Sequence, residues 1–251
     1  HQAHFSEHEP LKVVSLQKLN STVWAGTDKG LFILELTSAN QANSVSDVIH
    51  VNSEYGEITG LTQEFIPSIF KDSTDGLWLG TYQGLFRYHP DKRNQKLISN
   101  LGDFQDTVSG ATIWGLDTDH EGHTWVATQG HGLGKYDPAS GQIDYFLTEY
   151  ADKGISFWDL DIDKYGVYWV ATSEGLLAFE YQNQKMRLLA HLFESVFVDR
   201  QYFDGNRLWI WLDKKGLVSV QTNLLQQYLS NNSDRFIEYY SEFSSSAIRD
   251  T

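Results

Sequence analysis

Apolar residues fall at fixed distances in three stretches of this 251-residue chain. Ile66 and Ile69 stand six and three residues ahead of Asp72, Ile113 and Leu116 ahead of Asp119, and Phe157 and Leu160 ahead of Asp163. A glycine follows each aspartate (Gly76, Gly122, Gly166), and the sixth residue after it is Trp78, Trp125 or Trp169. Short apolar runs bounded by turn residues predict strands. Each stretch therefore reads as strand, Asp/Gly turn, Trp-led strand, Thr/Gly turn, Leu-led strand and a looser fourth strand. No helical period competes.

The second half of the pattern occurs five times, from Trp24 to Gly30-Leu31, Trp78 to Gly84-Leu85, Trp125 to Gly132-Leu133, Trp169 to Gly175-Leu176 and Trp209 to Gly216-Leu217. The tryptophans lie 54, 47, 44 and 40 residues apart, a period suited to the four-stranded blade of a propeller. A lone four-stranded sheet cannot bury both faces, whereas radially stacked sheets cover each other and leave short edges. Aromatic residues, 14% of the chain, suit the space between twisted sheets. The repeat tryptophans are expected in the core, the glycines at positive φ, and Asp72, Asp119 and Asp163 as turn formers accepting backbone N–H groups.

The string Ile-x-x-Ile-x-x-Asp, Gly, Leu-Trp-x-Gly-Thr-x-x-Gly-Leu, Tyr resembles the two-component-regulator propeller repeat, most closely over 66–88, 113–136 and 157–181. The first copy has Lys18 at the aspartate position; the fifth has Phe203 there and Leu212 in place of threonine. The resemblance implies the extracytoplasmic, periplasmic sensor part of an inner-membrane histidine kinase, hybrid regulator or diguanylate cyclase. It further implies a small-molecule or oligosaccharide ligand, signalling through the geometry of a homodimer, and catalysis confined to an output domain elsewhere in the parent protein.

The expected fold is all-β: one propeller segment over 1–251, with blades near 10–52, 56–101, 107–151, 155–191 and 192–230. Residues 243–251 resemble the first strand of a further blade, so a partial propeller of five blades plus the start of a sixth is expected.

Composition narrows the partners. With 19 basic against 33 acidic residues and a net charge of −14, the chain repels phosphate backbones and anionic lipid surfaces, so neither nucleic acid nor membrane contact is expected. The absence of cysteine removes disulfides, thiolate metal sites and a cysteine nucleophile. No apolar run approaches membrane-spanning length and no leader pattern occurs in this stretch.

For chemistry, the sequence offers no catalytic elbow, zinc helix or phosphate loop. Asp117, Asp119, His120, Glu121 and His123 occupy a turn that only faintly resembles a calcium loop, and His1, His4 and His8 precede the repeats; no metal site, cofactor or catalytic residue is assigned. Ligand contacts are expected where turns between second and third strands gather with the starts of the innermost strands. Those turns supply Tyr82, Gln83, Gln129, His131, Glu174 and Lys214. Trp114 and Trp158, one residue into the innermost strands, add stacking surfaces. A propeller enzyme (lyase or glycosidase) is the alternative, and a protein-interaction scaffold the third reading.

Overall fold

The computed structural model describes residues 11–39, 42–51, 65–72, 76–82, 84–88, 112–137, 142–212, 216–225 and 237–240. Five antiparallel sheets follow one another along them. The first holds β1 (Val13–Leu19), β2 (Thr22–Thr27), β3 (Gly30–Ala39) and β4 (Ala42–Val51). The second holds β5 (Ser68–Lys71), β6 (Leu77–Thr81) and β7 (Gly84–Tyr88), and its expected fourth strand falls outside the described residues. The third holds β8 (Ile113–Thr118), β9 (Thr124–Thr128), β10 (Gly132–Asp137) and β11 (Gln142–Phe146). The fourth holds β12 (Phe157–Ile162), β13 (Val167–Thr172), β14 (Gly175–Gln182) and β15 (Lys185–Leu192). The fifth holds β16 (Val198–Phe203), β17 (Arg207–Leu212), β18 (Gly216–Gln221) and β19 (Ile237–Tyr240).

Strand order follows chain order in every sheet, the up-and-down pattern of propeller blades. Among the described residues helix is confined to α1 (Thr148–Ala151), between β11 and β12, and a 3₁₀ turn at Thr222–Leu224. β19 lies past the blade limit expected at Ser230, and residues 243–251 lie outside the described residues.

The chain divides into two compact units, His1–Leu116 with Asp137–Ile143, and Asp117–Tyr136 with Asp144–Thr251. In the first, Trp24 and Leu31 of the first blade pack with Ile66, Leu77, Leu79 and Phe86 of the second. In the second, β13 shows why its sequence, Val-Tyr-Trp-Val-Ala-Thr, is apolar throughout rather than alternating. Trp169 and Ala171 point into a cluster with Leu208, Ile210, Leu212 and Val218 of the fifth blade. Tyr168 and Val170 point the other way, toward Trp125, Ala127 and Leu133 of the third. Period-two side chains on a strand covered on both faces give this pattern. The result is an all-β protein of the β-propeller class.

The repeat residues each have a physical task. Asp72, Asp119 and Asp163 accept main-chain N–H groups from the turn that follows, Gly76 at 2.9 Å, His123 at 2.9 Å and Val167 at 3.0 Å. The second carboxylate oxygen takes the indole N–H of the blade's own tryptophan, at 2.9 Å for Trp78, 2.8 Å for Trp125 and 3.0 Å for Trp169. One side chain thus closes the turn and satisfies the only polar atom of a buried Trp. The threonines ahead of the second turn donate to the carbonyl of the repeat glycine, as in Thr172 to Gly175 at 2.8 Å. Gly175 itself has φ 130°, and a Cβ there would meet the Leu192 carbonyl oxygen at 2.6 Å, so conformation and space both require glycine.

The first and fifth blades depart from the expected register. In the fifth, the aspartate role belongs to Asp204, not to the position of Phe203: its turn is one residue shorter, and Asp204 bonds Trp209 from five residues away. In the first, Lys18 belongs to strand β1, and the Trp24 indole donates instead to the Thr22 hydroxyl at 3.1 Å.

A second kind of bond ties blades within the first unit. Ser15 Oγ donates to the Ile66 carbonyl at 2.9 Å, and Ser68 Oγ to the Ile113 carbonyl at 3.3 Å. Room for both comes from Gly26 and Gly80, where a Cβ would lie 2.2 Å from the respective serine oxygen.

Candidate ligand-binding surface

Turns between second and third strands lie against the starts of innermost strands, as the propeller plan requires. In the first blade, Lys12 N donates to Asp28 Oδ1 at 3.0 Å and Asp28 N to the Lys12 carbonyl at 3.1 Å. In the fourth, Ser173 N donates to the Ser156 carbonyl at 3.2 Å and Ser156 N to Ser173 Oγ at 3.4 Å. Side chains from turn and strand start therefore share one end of a blade.

In the first unit that end carries an aromatic group. Tyr82, 48% exposed in the β6–β7 turn, stands with its ring centroid 4.9 Å from Phe65 and 6.2 Å from Trp114. Phe65 and Trp114 are 5.6 Å apart, edge to face. Trp114 is half-buried on β8, so the trio combines a fixed base with an exposed rim. The turn that carries Tyr82 is closed by Thr81 Oγ1 donating to the Gly84 carbonyl at 3.1 Å.

The second unit holds four more of the expected residues in separate groups. His131, between Gly130 and Gly132, faces Tyr145 at 6.1 Å, and its Nδ1 is enclosed without a hydrogen bond among the described residues. Burial pushes the Tyr145 hydroxyl above the usual range. Trp158 meets Phe197 edge to face at 5.4 Å. Glu174 keeps an exposed side chain, while its carbonyl accepts from Ser195 N at 3.1 Å and bonds His191 Nε2 at 2.8 Å. Gln129 is exposed in the β9–β10 turn. Among the described residues the ring contacts do not join the His131 and Trp158 groups. Gln83 and Lys214 lie outside the described residues.

Sequence reasoning missed Phe65, Phe197 and Tyr145. Phe65 and Phe197 each stand one residue ahead of a fully buried residue just before or at the start of an innermost strand (Ile66, Val198), a signal visible only once the two positions are matched.

The one metal-like grouping among the described residues is Asp119, Glu121 and His123, whose ligand atoms lie within 4.8 Å of one another. Asp119 is already committed: Glu121 N, His123 N, the His123 ring and the Trp125 indole all bond its two oxygens. Burial alone would raise this carboxyl; the indole and amide bonds and the neighbouring His123 outweigh it and hold the group below its usual value. The arrangement serves the turn.

Residues 60–83 match the family described as "Two component regulator propeller". No curated protein matches the chain in sequence. Among solved structures, the extracellular domain of BT4673 from B. thetaiotaomicron, a candidate one component system, resembles 87% of this chain with a TM-score of 0.64 and 22% identity. The extracellular domain of BT3049, a candidate hybrid two component system of the same organism, resembles 92% with a TM-score of 0.50 and 17% identity. A candidate 6-phosphogluconolactonase from Bacteroides fragilis resembles 82%, with a TM-score of 0.54 and 11% identity. The chain spans 28% of the BT4673 domain, 34% of the BT3049 domain and 65% of the lactonase. At these identities the likeness establishes the propeller fold. The match to the two component regulator propeller family covers residues 60–83, in the second blade, and the same motif recurs in the third and fourth blades.

Proposed function

We propose that this chain is a ligand-recognising segment of an extracytoplasmic sensor in a membrane-anchored signalling protein, and that its ligand is a glycan or a similarly flat, hydroxyl-rich molecule. The observation that carries this reading is the Phe65, Tyr82 and Trp114 group. Three aromatic side chains outside the repeat motif stand together at one blade end, with Tyr82 exposed where nothing in the packing of the blades requires it. Rigid aromatic planes with a phenolic hydroxyl suit sugar rings, which present apolar C–H faces and polar edges. The extracellular origin of the BT4673 and BT3049 domains supports the location. Signalling then requires a ligand that binds two arrangements of the sensor, such as two dimer geometries, with different affinity.

The test is calorimetric titration with neutral oligosaccharides, alongside chromatographic analysis of the sugars after long incubation. Saturable binding to wild type, weakened at least tenfold in Tyr82→Ala with no sugar consumed, supports the sensor. Sugar cleavage would favour the enzyme alternative. Undiminished binding to the Tyr82 variant would move the site elsewhere.

A further inference from the structure

The fourth strands carry a ring at one fixed register, outside the hairpin motif. His50 on β4 lies opposite Phe32, and His191 on β15 opposite Leu177, each the second residue after its repeat glycine, Gly30 or Gly175. In the fifth blade Tyr239 on β19 takes that place, opposite Val218, the second residue after Gly216. In the third blade it falls to Tyr145 on β11. A Cβ at Gly132 would meet the Phe146 carbonyl oxygen at 2.2 Å, as one at Gly175 would meet that of Leu192 at 2.6 Å. The residues that follow, Leu147 and Phe193, are both left-handed, at φ 60° and 56°.

Three of these rings reach the residue just ahead of the repeat glycine. His191 Nε2 stands 2.8 Å from the Glu174 carbonyl oxygen, and His50 Nε2 stands 3.1 Å from that of Lys29. The Tyr145 ring faces His131 instead, at 6.1 Å. A carbonyl oxygen has no hydrogen to give, so Nε2 donates in both histidine bonds, and the neutral ring at either position is the Nε2–H tautomer. The His50 ring is also held flat on Phe32, with centroids 4.2 Å and planes 4° apart.

The bonded residues are the second of two in each turn. Thr27 pairs directly with Gly30 and Thr172 with Gly175, which leaves Lys29 and Glu174 outside the strand ladder. Their main-chain groups need partners from elsewhere. Lys29 N donates to Thr27 Oγ1 at 3.0 Å and Glu174 N to Thr172 Oγ1 at 3.0 Å. The histidine takes the carbonyl at the other end of the same residue. Both residues remain exposed.

We propose that His50 and His191 are positioning residues: together with the threonine, each holds one turn residue by its N–H and its carbonyl, and so fixes the direction in which the side chain of Lys29 or Glu174 is offered to a ligand. This rests on the reading of these turns as the ligand end. A ring that only filled space would act as well without its N–H. A positioning ring would not.

Nitrogen-15 NMR of the imidazoles at about pH 8, where an ordinary histidine is neutral, reads the tautomer. Both rings should carry hydrogen on Nε2. His191→Phe keeps a ring and removes the donor, whereas His191→Gln restores an N–H at similar reach. The Ser195 N–H is the second donor to the Glu174 carbonyl; its hydrogen exchange should quicken about tenfold in His191→Phe and return close to wild type in His191→Gln. Affinity for the neutral oligosaccharides should fall and recover in the same order. An Nδ1–H tautomer at either position, wild-type exchange in His191→Phe, or faster exchange with undiminished sugar affinity would overturn the positioning role. Absence of sugar binding by wild type would instead count against the proposed ligand, and the tautomer and the exchange rates would still decide the clamp. Should His191→Phe fail to fold, His50→Phe and His50→Gln, read at the Lys29 N–H, take its place.

Discussion

Asp204 accepts the indole N–H of Trp209 at 2.8 Å across five residues, while Asp163 accepts that of Trp169 at 3.0 Å across six. The bond survives a shortened turn because what must be kept is the meeting of carboxylate and indole at the base of the hairpin, not the number of residues between them. Their settings differ, however. Asp163 is completely buried, whereas Asp204 is exposed.

That difference sets the first prediction. Asp163→Ala leaves the N–H groups of Val167 and the Trp169 indole buried without an acceptor, a loss of roughly 2–6 kcal/mol given about 1–3 kcal/mol for each unsatisfied buried donor. Asp204→Ala should cost clearly less, because water replaces the lost acceptor. Urea unfolding of the two variants checks the order; equal losses would contradict it.

Glycine at the second turn separates strain from crowding. Gly130 and Gly175 both have positive φ, but a Cβ at Gly130 meets nothing within 4 Å, while at Gly175 it meets the Leu192 carbonyl oxygen at 2.6 Å and His191 Nε2 at 2.8 Å. Gly130→Ala should cost about 1–2 kcal/mol from backbone strain alone. Gly175→Ala should add roughly 1–3 kcal/mol of overpacking. Thermal denaturation of both variants would expose a mistaken turn geometry if the two fell together.

Trp125 and Trp169 are fully buried, and alanine at either should cost about 3–5 kcal/mol. Tyr82→Ala and His131→Ala should instead change stability by less than about 1 kcal/mol while weakening ligand response in the full-length sensor, since both side chains reach solvent from turns. Paired unfolding and signalling measurements give the contrast; normal signalling by both turn variants would place the ligand on other residues.

Asp119 sets the sign of a pH effect. Its carboxyl is held below the usual value, so its stabilising contribution is present above the unfolded value and is lost as pH falls through the folded one. Acid unfolding of Asp119→Ala should therefore show a shallower loss below about pH 4 than wild type.

The repeat was readable because each of its bonds closes within one hairpin. Asp163 reaches Trp169, and Thr172 reaches Gly175, across a handful of residues, so period and composition exposed the blades and the buried tryptophans. The candidate ligand residues Tyr82 and His131 are picked out in the same way, as departures from the motif. Contacts that depend on how one strand lies beside another left no such trace. Phe65 gains its meaning from Tyr82 and Trp114, and His191 from the Glu174 carbonyl, 17 residues back. The Asp204 register escaped because fixed spacing was assumed where the chain conserves geometry.

The serine bonds between blades have an acceptor that is not a side chain. Ser15 and Ser68 end on the carbonyl oxygens of Ile66 and Ile113, a group that every amino acid supplies. The donor blade must keep its serine and the glycine beside it, but the recipient owes this bond no particular residue. Neighbouring units can thus diverge on one side of a junction without a matching change on the other. A stack of such units can drift far in sequence while its geometry stays put.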